Sequence, residues 1–219
     1  MEKTAGIQAQ FIRSCLVFGW FLSLLSVSPP VLSAKRVQLP AVDPQSDRWS
    51  CGPNSATRLL RFYGHEVNYS QIKQLTAKKL LFVAQFRGQE IGTGTPPRVL
   101  QEVVNAWEKG NAKLRQNAQL NDLLQVLEQG KPAIALVRVR NLSLGKLTIP
   151  ALHWITVTGF DPQAQVIYYT DTNSQNYQIS YAEFERQWQL NLSQNPVTAI
   201  LKLNGVVPRT FVWVDRTPT

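Results

Sequence analysis

The stretch that decides the fold runs CGPNSATRLLRFYG from residue 51 to residue 64 and has the pattern of a helix. Its apolar residues recur at helical spacing, and Gly64 ends it. Cys51 stands in the first turn, where unpaired backbone N–H groups and the positive end of the helix dipole favour a thiolate. Gly52 lets a substrate approach closely, and Pro53 suits an early helical position. Free cysteines are usually idle core residues, so a catalytic interpretation of Cys51 requires a nearby base.

The first 34 residues have the layout of a secretory signal peptide. Lys3 and Arg13 precede an uncharged apolar stretch over residues 14–27, and small residues end the segment at Ala34. The stretch is shorter than the ~20 residues that span a membrane, so cleavage after Ala34 is predicted. An uncleaved anchor through residues 14–28 is the alternative. The protein is therefore expected to be exported, to the periplasm or to the medium.

Residues 35–219 are enough for one domain with a proper core and too few for two. The chain has two cysteines, and Cys15 lies in the signal segment, so no internal disulfide is expected after cleavage. The net charge of +9 comes from basic residues that are scattered along the chain. This distribution argues against nucleic-acid binding and favours, at most, association with an anionic cell envelope. A monomer is expected.

Helical patterns precede strand patterns along residues 35–219, which predicts a single α+β domain. After the helix at Cys51, the sequence predicts four more helices, with N-terminal signals at Ser70, Thr95-Pro96, Asn121 and Ser180. Strand patterns cover residues 133–139, 152–160, 166–171, 197–203 and 211–214.

Two histidines are available as a base for Cys51. His65 follows Gly64 in a polar loop and is assigned a structural or surface role. His153 lies near the start of the strand over residues 152–160. A histidine on a strand is usually a core residue, so the case for His153 depends on a partner that orients its ring.

That partner is sought beyond the turn at residues 161–162, because antiparallel residues pair symmetrically about a loop. A three-residue loop centred on the turn proline places Asp171 opposite His153. A loop centred one residue later places Asn173 there, and a two-residue loop places Thr172 there. We choose Asp171, because a carboxylate both orients the imidazole and stabilises the imidazolium. Asn173 is the alternative, since the sequence leaves the register open.

Gln45 lies six residues before Cys51 and is a candidate oxyanion donor. A neutral amide beside the nucleophile donates to the oxyanion that forms during acyl transfer, together with the backbone N–H of Cys51. A single glutamine is a common loop residue, so it means little without the other elements.

Taken together, these elements resemble the papain-like cysteine peptidases, and within them the bacteriocin-processing-peptidase-like group, family 39 of the cysteine peptidases. The resemblance rests on Gln45, on WSCGPNSA at residues 49–56, on HWITVTGFD at residues 153–161 and on YYTD at residues 168–171. The order and spacing of these pieces together carry the resemblance. The resemblance covers nearly all of residues 35–219 and implies a papain-like fold.

In that family, the matching positions imply Cys51 as nucleophile, His153 as base and then acid, and Asp171 as orienting partner. They also imply Gln45 as oxyanion donor. Similar proteins usually have proline after the aspartate, whereas this chain has threonine, which keeps Asn173 in contention for the orienting role. Members that trim leader peptides are commonly fused to a transporter. This chain has a single apolar stretch and is expected to be a stand-alone member.

The predicted function is that of an exported cysteine peptidase or amide hydrolase with a Cys-His-Asp triad, a covalent acyl-enzyme, a peptide or protein substrate and no cofactor. One alternative is a catalytically silent binding module on the same fold, and another is acyl transfer to an amine. A metal site from Cys51, His153 and Asp171 ranks lowest, because the chain offers few ligands and no local ligand spacing.

Overall fold

Of the six helices in the described part of the chain, three lie in the first half and three in the second, and the long strands lie in the second half. A computed structural model describes residues 33–81, 83–86, 88–144, 147–192 and 196–218. The elements in chain order are β1 (Lys35–Arg36), α1 (Cys51–Phe62), α2 (Tyr69–Ala77), β2 (Val83–Phe86), β3 (Gln89–Gly92), α3 (Pro97–Glu108), β4 (Ala112–Arg115), α4 (Leu120–Glu128), β5 (Ala133–Leu144), β6 (Leu147–Asp161), β7 (Val166–Thr170), β8 (Asn176–Ser180), α5 (Tyr181–Trp188), α6 (Pro196–Leu203) and β9 (Phe211–Val214).

Seven strands form one antiparallel sheet in the order β4-β9-β5-β6-β7-β8, and β1 pairs with the end of β6. The strands β2 and β3 form a separate hairpin. Gly159 permits the approach of β1, because a Cβ atom at this position would lie 2.0 Å from the carbonyl oxygen of Lys35. Helices and an antiparallel sheet in one chain confirm the predicted α+β class.

The sheet separates two hydrophobic clusters, because alternate residues of β5 point to opposite faces. Ile134 and Leu136 pack with apolar residues of α1, α2 and α3. Ala135 and Val137 pack with apolar residues of α4 and α5. Helices therefore cover both faces of the central strands, and α1 lies on the face of Ile134 and Leu136.

The predicted helices exist, but three of their N-termini differ. Asn68 caps α2 by accepting the N–H of Gln71, and a reciprocal capping box begins α4. Ser180 caps α5 as predicted. The observed N-cap residues of α2, α3 and α4 are Asn68, Pro96 and Gln119, in place of Ser70, Thr95 and Asn121.

The strand predicted over residues 197–203 is wrong, since this segment belongs to α6. Proline suits the first position of a helix, and Pro196 occupies it here. Val197, Ile200 and Leu201 also recur at helical spacing. A short apolar run fits either structure, and the proline was the signal that distinguished them.

The hairpin between β6 and β7 also differs from the prediction. Its loop has four residues, 162–165, and the side chain of Asp161 accepts two N–H groups of that loop at 2.8 and 3.0 Å. Backbone pairing with β7 ends at Thr156, so His153 has no directly opposite partner in β7. The symmetric pairing argument therefore does not reach His153.

No helix among the described residues is long and apolar enough to span a membrane. Residues 1–32 contain most of the predicted signal peptide and the whole alternative anchor, and they lie outside the described residues.

Candidate active site

Cys51 is the first residue of α1 and is 8% exposed. The helix begins against Thr95, because a Cβ atom on Gly52 would lie 2.7 Å from the Thr95 side chain. Packing therefore requires glycine at this position. The Ser55 hydroxyl donates to the carbonyl oxygen of Trp154 at 3.2 Å, which ties α1 to β6. These contacts hold the thiol next to the strand that carries His153.

Asp47 organises the loop that leads into α1. Its Oδ1 accepts the N–H groups of Trp49 and Ser50, both at 2.8 Å, and its Oδ2 lies 2.8 Å from the Lys73 ammonium. Burial raises the pKa of Asp47, but the hydrogen bonds from Lys73, Ser50 and the two backbone groups outweigh burial and lower the pKa overall. The carboxylate therefore stays charged and fixes the backbone immediately before Cys51.

The ring of His153 joins Asp171 to Cys51. His153 Nε2 and Asp171 Oδ1 are 2.6 Å apart, which leaves Nδ1 as the ring nitrogen for the thiol. Burial lowers the pKa of His153, but hydrogen bonds to Asp171 and Cys51, and their charges, outweigh burial and raise the pKa to about 10. The arrangement stabilises an imidazolium between a thiolate and a carboxylate.

Asp171 is held as a carboxylate by its own neighbours. Burial raises the pKa of Asp171, but the hydrogen bond and charge of His153 and two donors from Thr172 outweigh burial and lower it. The Thr172 backbone N–H lies 2.5 Å from Asp171 Oδ1, and the Thr172 hydroxyl lies 3.3 Å from the same oxygen. Proline has no N–H, so threonine at this position supplies a donor that proline lacks.

Asn173, the alternative orienting residue, is exposed and bonded elsewhere. Its side-chain amide donates to the Tyr177 hydroxyl at 2.7 Å, and its carbonyl oxygen accepts the N–H of Gln175 at 2.9 Å. Of the two candidates, the structure brings Asp171 to His153.

Gln45 lies between the two segments that carry the candidate residues. Its backbone N–H donates to the carbonyl oxygen of Thr172 at 2.9 Å, next to Asp171. Its side-chain amide donates to the carbonyl oxygen of Asp47 at 2.8 Å. One side-chain N–H is therefore used within the loop, and an amide nitrogen carries two.

Sequence reasoning missed Arg58, which is 2% exposed within α1. Its guanidinium donates to Asn54 Oδ1 from Nε at 3.2 Å and from Nη2 at 2.9 Å, and to the Ser174 hydroxyl at 3.1 Å. The N–H of Ser174 in turn donates to the carbonyl oxygen of Asp171 at 3.0 Å. Arg58 thus ties the helix of Cys51 to the turn of Asp171. Arg58 lies on the helix face opposite the apolar stripe of Ala56, Leu59, Leu60 and Tyr63, where a charged side chain is usually exposed, so its burial could not be predicted from the sequence.

The predicted structural role of His65 agrees with its surroundings. His65 Nε2 lies 2.7 Å from Glu108 Oε1, and the Glu108 side chain is 1% exposed. Arg216 also binds Glu108, at 2.7 and 2.9 Å.

A cleft of about 770 Å³ includes Cys51 in its lining. This volume is within the range of sites that bind small ligands and short peptide segments. Its apolar walls include Val99, Leu136, Leu152, Trp154, Leu201 and Val206.

No cluster of three or more His, Cys, Asp or Glu side chains suited to a metal ion occurs in the part of the chain that the structure describes. Cys51, His153 and Asp171 form a line of contacts through the imidazole, and that arrangement suits proton transfer.

A cysteine at the start of a helix that packs on an antiparallel sheet, with His153 on that sheet and Asp171 just beyond the end of its neighbouring strand, defines the papain-like cysteine peptidase class. Residues 37–195 match the model of the Peptidase_C39 like family, and the chain belongs to this family. The resemblance noted from the sequence is confirmed. The protein is a cysteine peptidase, and its substrate is a peptide or protein.

The solved structures that are similar to this chain include two peptidases. A Bacillus anthracis protein described as a C39-like peptidase has a TM-score of 0.58 and 14% identity, covering 84% of this chain and 99% of its own. At that identity the similarity shows the fold alone. The peptidase domain of Streptococcus ComA, a bi-functional ABC transporter of a quorum-sensing pathway, has a TM-score of 0.46 and 15% identity, covering 80% and 98%. The curated proteins contain no match.

Proposed function

We propose that this cysteine peptidase hydrolyses a peptide bond through Cys51, with His153 as base and acid and Asp171 as the residue that positions His153. The observation that carries the proposal is the His153 ring, which lies 2.6 Å from Asp171 Oδ1 and near enough to Cys51 for the thiol to help raise the pKa of the ring. A nucleophile, a base and a group that orients the base are the arrangement that covalent acyl transfer uses.

In the first half of the reaction, the Cys51 thiolate attacks the scissile carbonyl carbon and forms a C–S bond. The carbonyl oxygen becomes an oxyanion. The imidazolium of His153 then gives its proton to the leaving nitrogen as the C–N bond breaks, which releases the amine and leaves a thioester on Cys51. Asp171 stabilises the positive ring before this proton leaves.

In the second half, neutral His153 takes a proton from water as the water oxygen attacks the thioester carbon. A new C–O bond forms, the C–S bond breaks, and the carboxylic acid leaves. The proton on His153 restores the imidazolium beside the thiolate.

The oxyanion needs donors that point at its position, and two are assigned to it. The backbone N–H of Cys51 is one of the first N–H groups of α1, which have no intrahelical acceptor. The second is the N–H of the Gln45 amide that the Asp47 carbonyl leaves free. Removal of one such donor lowers kcat by about 10²–10³-fold in well-studied hydrolases.

The test uses iodoacetamide on the full-length protein and on its His153→Ala variant over a pH series, with alkylation followed by mass spectrometry of the peptide that contains Cys51, which separates it from Cys15. Labelling at about pH 5 to 6 in the wild type, and its loss in the variant, is expected because a thiolate paired with imidazolium stays reactive below the usual thiol range. If alkylation rises only near pH ~8.5 in both proteins, Cys51 is an ordinary thiol, and the result favours a catalytically silent binding module.

We also propose that the protein is exported through residues 1–34 as a monomer, with its net charge of +9 favouring contact with an anionic cell envelope. N-terminal sequencing of the protein recovered from its native host is expected to begin near Lys35. Recovery from a membrane fraction of protein that begins at Met1 would support the uncleaved anchor.

A further inference from the structure

The cleft beside Cys51 carries charge of one sign. Among the described residues its lining includes three cations, Arg48, Lys79 and Arg98, and no Asp or Glu. Lys79 is paired with Glu102 at 2.8 Å, outside the lining. Arg48 and Arg98 are exposed and have no ion pair with any residue that the structure describes. The internal residues left undescribed contain no acidic residue that could neutralise them.

The same cleft has an apolar rim. Leu81, Ile200 and Leu203 line it, and they are 78%, 56% and 88% exposed. These side chains are half of the exposed large apolar residues in the described chain. Clustered exposed apolar side chains mark a binding surface, whereas scattered ones need no explanation.

We propose that this cleft selects peptide segments in which carboxylate side chains alternate with or flank apolar ones. Arg48 and Arg98 bind the carboxylates, and the apolar rim and walls take the neighbouring side chains. The planar guanidinium binds a carboxylate through two parallel N–H groups, which gives direction as well as attraction. A site with cations and no acidic group also disfavours basic peptides by repulsion.

This inference rests on the proposed function, since it names the substrate of that site, but binding tests it without turnover. Full-length protein with Cys51→Ala is titrated against three fluorescent dodecapeptide libraries by anisotropy. The libraries share the same apolar positions and differ only in four polar positions, which hold Glu, Gln or Lys. Two exposed ion pairs together are expected to make the Glu library bind roughly tenfold more tightly than the Gln library.

Substitutions of the two arginines test whether they cause the preference for the Glu library. Arg48→Gln with Arg98→Gln is expected to remove the preference for the Glu library and leave the affinity for the Gln library unchanged, which also shows that the variant is folded. Arg140→Gln is the matched control, because Arg140 is exposed on β5 and does not line the cleft. Added salt is expected to weaken only the Glu-library binding.

Equal binding of the Glu and Lys libraries, or a Glu preference that survives the double Arg variant, overturns the inference. Failure of the catalytic proposal would give a different result. The pH dependence of Cys51 alkylation would then be the same in the wild type and in His153→Ala, while the affinities for the Glu and Lys libraries would still differ. Incubating wild-type protein with the same libraries and sequencing the products by mass spectrometry is expected to show cleavage concentrated in the Glu library.

Discussion

Two histidine–carboxylate pairs of nearly equal length occur in this molecule. His153 Nε2 and Asp171 Oδ1 are 2.6 Å apart, and His65 Nε2 and Glu108 Oε1 are 2.7 Å apart. The Asp171 side chain is 27% exposed, whereas the Glu108 side chain is 1% exposed. The lengths alone therefore do not distinguish a reactive pair from a structural one.

The two pairs differ in the third group that lies beside each of them. The Cys51 thiol lies near His153 and helps to raise the pKa of its ring, so a nucleophile stands beside this pair. Glu108 instead receives two hydrogen bonds from Arg216, whose guanidinium also donates to the carbonyl oxygen of Tyr63 at 2.8 Å. The second pair thus joins the end of α3 to the C-terminal segment. A histidine beside a carboxylate indicates chemistry only when a nucleophile touches the ring.

The largest expected effect is on the reactive pair. His153→Ala is expected to lower the rate of peptide cleavage by roughly 10³-fold or more, because the base and the acid are lost together. His65→Ala is the matched control and is expected to change that rate less than about twofold. Cleavage of a peptide library followed by mass spectrometry measures both rates. Similar losses in the two variants would remove the distinction between the pairs.

The next effect is on the structural pair. Glu108→Gln is expected to reduce the free energy of unfolding by about 3 kcal/mol or more, because Arg216 and His65 lose a buried partner. Urea unfolding monitored by tryptophan fluorescence measures the change. The active-site counterpart, Asp171→Asn, is expected to cost less stability, since Asp171 is partly exposed. If Asp171→Asn costs more stability than Glu108→Gln, the two roles are reversed.

Asp171→Asn also tests the pH dependence of the reactive pair. The pKa of His153 is raised to about 10, so the imidazolium persists below that pH and is lost above it. Activity is therefore expected to hold through neutral pH and to fall on the alkaline side. Asparagine removes one of the contacts that raise this pKa, so the alkaline fall is expected at lower pH, with kcat/KM reduced by roughly 10²-fold. If activity falls at the same alkaline pH in the wild type and in Asp171→Asn, Asp171 does not contribute to the raised pKa of His153.

The smallest effect concerns His65 itself. His65→Ala is expected to lower the free energy of unfolding by about 1 kcal/mol, because Arg216 still satisfies the Glu108 carboxylate. A comparison of urea midpoints with the wild type measures this value. A loss as large as that of Glu108→Gln would show that the histidine, and not the arginine, neutralises Glu108.

Local patterns predicted much of this fold. The helix at Cys51 follows from apolar spacing and a terminal glycine, which depend on neighbours within a few residues. The strand prediction for residues 197–203 was wrong, because short apolar runs have the same local pattern in strands and in helices. The length of the hairpin loop was also predicted wrongly, since the side chain of Asp161 accepts two N–H groups of a four-residue loop and stabilises it.

The residues of the candidate site were predicted from their types and their order in the chain. The contacts between them were not predicted. Asp171 was preferred over Asn173 on chemical grounds while the register remained open. In the structure the pairing of β6 and β7 ends before His153, yet Asp171 reaches it from the turn beyond β7. Arg58 was missed, because its partner Ser174 lies 116 residues away and no local pattern connects them.

The sequence by itself determined the cysteine at a helix start, the helices that precede the long strands and the identity of the residues able to act on a peptide bond. These properties follow from local spacing and from side-chain chemistry. Only the tertiary structure decided which of Asp171 and Asn173 meets His153, how Arg58 joins the helix to the turn, and that Arg48 and Arg98 share one cleft with Cys51. Those contacts join residues distant in sequence, and packing of the whole chain sets their distances.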